Sequence, residues 1–146
     1  MRTALAILLF LVTAAGATGC ASDKERYCEA VKDHQAELGE LAAEGGQTAL
    51  LDALPAYREL QEQAPDDITD EWQQVVSSIE TLQQALDDAG VDPETFDPKQ
   101  PPEGLGEDDL AAIADAADRV GSAETQQSLQ GLEQQARDVC QTPLSL

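Results

Sequence analysis

Apolar residues recur every three or four positions along most of this chain, a spacing that predicts helices and leaves no stretch with the alternation of a strand. Tyr27, Val31, His34, Leu38 and Leu41 mark the first helix, over about Asp23–Glu44. Ser22 followed by Glu25 reads as a capping box at its start, and Gly45-Gly46 stops it. Thr48 is placed to cap a second helix carrying Leu50, Leu51, Leu54, Tyr57 and Leu60. Pro55 lacks a backbone donor and is expected to kink that helix, which Pro65 ends. The third helix has the strongest pattern, with Ile68, Trp72, Val75, Ile79, Leu82 and Leu86 in a heptad stripe. The acids at 66, 67, 70 and 71 suit its N-terminus, and Gly90 suits its end.

Residues 91–106 (VDPETFDPKQPPEGLG) contain four prolines and no periodicity, so they predict a long connection. Helix returns over Glu107–Val120 through Leu110, Ile113, Ala117 and Val120, and Gly121-Ser122 breaks and recaps the chain. A last helix over about 123–140 carries Leu129, Leu132, Ala136 and Val139 before Pro143. The expected fold is an all-α bundle of four to five helices with the proline-rich connection before the fourth.

The only long unbroken apolar run is at residues 4–15 (ALAILLFLVTAA), behind Met1-Arg2 and ahead of small residues. That is the layout of a secretory signal, and it is too short for a membrane span of about 20 residues. The following ATGC (residues 17–20) resembles the lipobox of bacterial lipoproteins, in which a diacylglycerol is attached to the cysteine and the chain is cut just before it. On that reading residues 1–19 are a lipoprotein signal peptide, and residues 20–146 form one domain anchored at Cys20. Ala15-Gly16-Ala17 also fits ordinary signal cleavage, which would leave Cys20 a free thiol on a secreted protein. Lipidation gives all three cysteines a partner.

Once Cys20 is acylated, Cys28 and Cys140 are the remaining sulfurs, in an oxidising compartment. A disulfide between them is expected, the alternative being two buried thiols. The bridge would make the first and last helices neighbours with both chain ends on one side. Five strictly alternating helices would finish at the far end. Hence either a connection runs back along the bundle, which the proline-rich segment is long enough to do, or one helix lies across it.

The chain carries 29 acidic and 8 basic residues, a formal net charge of −21. So acidic a body repels phosphate backbones, which excludes nucleic acid as a partner. Only the stretch from Cys20 to Lys32 is balanced, with three bases against three acids, and a neutral end suits a membrane-proximal position. Asn is absent and Lys is scarce, a bias of GC-rich genomes.

Candidate chemistry is sparse. His34 is the only histidine and falls on an apolar stripe, as a boundary residue would. No serine lies in a nucleophile elbow, and no glycine-rich phosphate loop follows a strand, so no catalytic residues and no cofactor are implied. The clusters Asp66-Asp67-Asp70-Glu71, Asp92-Glu94-Asp97 and Glu107-Asp108-Asp109 raise calcium as a candidate ligand, but none has EF-hand spacing and two of them open helices. Trp72, Tyr27 and Tyr57 read as core. Phe96, in the long connection, either staples that loop to the bundle or faces a partner.

GCASDKERYC, LPAYRELQEQAPDDITDEW and EQQARDVCQTPLSL together resemble small lipoproteins of actinobacteria. The resemblance rests on Cys20, Cys28, Cys140 and Trp72. It implies lipid attachment and an extracytoplasmic helical domain on the cell membrane, and no particular activity. The functional expectation is a non-catalytic module that binds an envelope protein or supports an envelope complex. The alternative is a lipoprotein that binds a cation or small ligand through the acidic loop or a gap between helices, with a carboxylate hydrolase third. A sizeable polar-lined pocket would favour a ligand, and a solid core with no cavity would leave surface recognition as the default.

Overall fold

The computed structural model describes residues 22–145, so the signal segment and Cys20 lie outside the described residues. Five α-helices follow in order: α1 (Asp23–Glu44), α2 (Ala49–Gln63), α3 (Thr69–Asp88), α4 (Glu107–Val120) and α5 (Ala123–Val139). No strand occurs among the described residues.

The capping box opens α1 as the sequence implies. Ser22 Oγ accepts the Glu25 N–H at 3.3 Å, and Glu25 Oε2 accepts the Ser22 N–H at 2.8 Å. Hydrogen bonds from the Ser22 backbone and hydroxyl hold the Glu25 carboxyl below its usual range. Gly45, at φ 52, ends the helix in a conformation few other residues tolerate. Thr48 does not cap α2: its backbone is already near-helical (φ −98, ψ −9), and its side chain makes no cap hydrogen bond. Capping side chains reach the next turn from an extended backbone. Pro55 sits inside α2, which is assigned without a break through it. Its position is exposed, so water can occupy the place of the missing donor. Asp66 and Asp67 belong to a 3₁₀ turn (Asp66–Ile68) that precedes α3.

The core is built around two aromatic contacts. The Trp72 indole N–H donates to Tyr27 Oη at 3.2 Å, and the Tyr57 and Trp72 rings sit 5.9 Å apart, tilted by 49°. Tyr27, Trp72 and Tyr57 are 0, 0 and 2% exposed, so they are core residues. Burial pushes the Tyr27 phenol up to about 12, the indole hydrogen bond pulling the other way. Burial, with the Glu133 carboxylate adding to it, pushes Tyr57 up to about 12 as well. In the unfolded chain both phenols ionise near pH 10. That chain therefore gives up protons before the folded one does. The stability from neutral burial is fully present below about pH 10 and falls by roughly 2–3 kcal/mol per tyrosine as the pH rises through about 12. Phenolate absorbance and helical circular dichroism are expected to change together in that window. Phenols that titrate near pH 10 with the helical signal intact would contradict this.

Cys28 and Cys140 form the expected disulfide, 112 residues apart in sequence. The geometry it imposes is met by a transverse helix. At the start of α5, Gln74 Nε2 of α3 donates to Thr125 Oγ1 at 3.1 Å. At its end, Cys140 is bonded to Cys28, whose neighbour Tyr27 accepts from Trp72. Both ends of α5 are thus fastened beside the first turns of α3. A helix of 17 residues is about 25 Å long, so α5 crosses α3 near its start instead of running along it. The proline-rich segment does not run back along the bundle. It stays by the end of α3, where the Val91 N–H donates to the Leu86 carbonyl at 3.2 Å.

Candidate functional site

The transverse course of α5 leaves a gap. α2, α4 and α5 all pack on α3, and α5 is tied to it in the first turns, at Gln74. Between α2 and α4, over the last turns of α3, a groove of about 390 Å³ remains. Leu82 and Leu86 form its floor, Leu51 of α2 one wall, and Leu110, Ile113, Ala114 and Ala117 of α4 the other. Pro93, Phe96 and Pro98 of the long connection close one end. The volume falls within the range of small-molecule sites.

Local geometry fixes that end. Gln47, in the turn between α1 and α2, donates its side-chain amide to the Phe96 carbonyl at 3.2 Å and also to the Pro93 carbonyl. Asp92 and Asp97 accept the N–H groups two residues on, from Glu94 at 2.9 Å and Lys99 at 2.8 Å. These bonds turn the loop so that Phe96, half-buried, lies against the groove. Phe96 therefore staples the connection and lines the groove at once. At the opposite end the chain is pinned by Thr125, 1% exposed. Its hydroxyl donates to the Arg119 carbonyl at 2.9 Å, and its N–H donates to Ser122 Oγ, which caps α5.

The residues singled out for chemistry are scattered. His34 is half-buried between α1 and α2, with Nε2 2.9 Å from Glu59 Oε2 and Nδ1 3.4 Å from Glu37 Oε2. The Ser78 hydroxyl is buried and donates to the Val75 carbonyl at 2.8 Å. Among the described residues no three His, Cys, Asp or Glu side chains come together in a way that could hold a metal ion. Asp92 and Asp97 are occupied in the loop turns just described. Two other hollows, of about 560 Å³ beside α5 and about 450 Å³ beside Cys28, are lined mainly by charged and polar side chains on outer helix faces.

Sequence reasoning named a polar-lined pocket as the sign of a ligand, and the groove found is apolar. No local signal in α4 marks it: Leu110, Ile113, Ala114 and Ala117 have the i, i+3, i+4, i+7 spacing of an ordinary core-facing stripe. Of the expected stripe, Ile113 and Val120 are buried, Leu110 is half-buried and Ala117 is exposed, with Ala116 buried in its stead. The helix is rotated so that one edge of its apolar face meets α3 and the other borders the groove.

Comparison of the chain with protein-family models, curated proteins and solved structures gives no match. Among the described residues no helix is long and apolar enough to cross a membrane.

Proposed function

We propose that this chain is a non-catalytic lipoprotein, tethered through Cys20 to the outer face of the cell membrane, whose helical body binds a small apolar ligand in the groove between α2 and α4. The groove is the observation that carries the reading. A cavity of about 390 Å³ with an almost wholly apolar lining favours a ligand over surface recognition of an envelope protein. The same lining disfavours a metal cation, which needs several oxygen ligands. The disulfide supports an oxidising, extracytoplasmic setting. It lies near the start of α1, next to Cys20 in sequence, whereas Gln47 of the groove lies past the end of α1. About 24 Å of helix separates Cys28 from Glu44, so an anchor at Cys20 leaves the groove facing away from the lipid surface.

The test has two arms. Protein processed by a bacterial host and extracted from membranes is expected to begin at a diacylated Cys20 by intact-mass spectrometry. A mature chain cut after Ala17 with an unmodified thiol would remove the anchor. Titration with octanol is expected to shift the side-chain methyl resonances of Leu82, Leu86 and Ile113 saturably. Unperturbed methyls would remove the ligand.

A further inference from the structure

The groove has one charged side chain on its wall, and that group is unengaged. Asp118 lies on α4 at the end away from Phe96, and among the described residues its carboxylate makes no hydrogen bond or ion pair. The other polar group of the lining, the Gln47 amide, is already given to two loop carbonyls. An anionic ligand would have to enter a body of net charge −21 and then face Asp118. A cation meets attraction at both stages.

Resting on the ligand-binding reading above, we infer that the groove takes a cationic amphiphile. Its alkyl or other apolar body lies over Leu82, Leu86 and Ile113, and its single ammonium or guanidinium group is paired with the Asp118 carboxylate at the groove's mouth. Leu110 and Asp118 are about 12 Å apart along α4, comparable with an extended octyl chain. The apolar body supplies the affinity and the rim carboxylate selects the head group, because a pair at an exposed mouth adds a modest increment.

Three probes with the same tail separate these roles: octylammonium, octanol and octanoate, titrated below micelle-forming concentrations into the full processed protein. Octylammonium is expected to bind roughly three- to fivefold more tightly than octanol, as one exposed ion pair allows, and octanoate most weakly. Asp118→Asn is expected to bring octylammonium to the affinity of octanol. Ala117→Phe, at an exposed lining position that the fold can spare, is expected to fill the groove and weaken all three. Equal binding of octylammonium and octanol by the native protein would overturn the inference and leave the ligand-binding reading standing. So would a preference that persists in Asp118→Asn, since it would come from the charge of the whole body. Octylammonium binding that survives Ala117→Phe would place the amine outside the groove and overturn it too. No saturable binding of octanol or octylammonium would instead sink the ligand-binding reading itself.

Discussion

Replacing both Cys28 and Cys140 by serine is expected to lower the unfolding free energy by about 4–5 kcal/mol. The bridge closes a loop across 112 residues, and in the chain-entropy account a loop of that size restricts the unfolded ensemble by about that amount. Domains of this size are stable by only some 5–15 kcal/mol, so the unbridged chain would retain at best a narrow margin. Denaturant titration of the double variant against the oxidised protein measures the difference. A change below about 1 kcal/mol would mean that the unbridged unfolded chain retains enough structure to hold its two ends near each other.

Truncating Trp72 comes next in size. Trp72→Ala is expected to cost about 3–5 kcal/mol, because the indole is 0% exposed and its loss opens a cavity between α1, α2 and α3. Trp72→Phe separates volume from hydrogen bonding. It keeps a smaller ring beside Tyr57 and removes the N–H that donates to Tyr27, so it is expected to cost about 1–2 kcal/mol beyond the loss of ring area. Equal costs for the two variants would show that the polar contact, not the filled volume, holds this part of the core.

The sequence made some elements plain and hid others, for reasons that lie in range of interaction. The bounds of α1 were readable because a capping box and a glycine act within four residues of the helix ends. The Cys28–Cys140 pairing was readable because so few sulfurs offer alternatives. Thr48 misled because residue type marks a cap only when the backbone before the helix is extended, and here the turn from Gly46 is already near-helical. The disposition of α5 was half readable: joining the chain ends required a reversal somewhere, but nothing local distinguishes a helix that crosses from a loop that returns. The groove was the least readable feature, because it is made where α2 and α4 fail to meet. Leu51, Leu82 and Ala114 come from three helices and look like ordinary core positions in each. Asp118 resembles any exposed acid of α4 until the wall on which it stands is known.

The crosswise seating of α5 also governs how the molecule is finished. Synthesis delivers the chain N-terminus first, and the four preceding helices emerge with one flank of the core bare, since Leu132, Ala136 and Cys140 belong to the same cluster as Tyr27 and Trp72. Until the last seventeen-residue rod swings into place, that flank invites misassociation and exposes the half-built domain to proteases. The C-terminal segment therefore acts as a latch on the whole body, and a polypeptide halted before Leu132 would not merely be shorter but would remain unclosed.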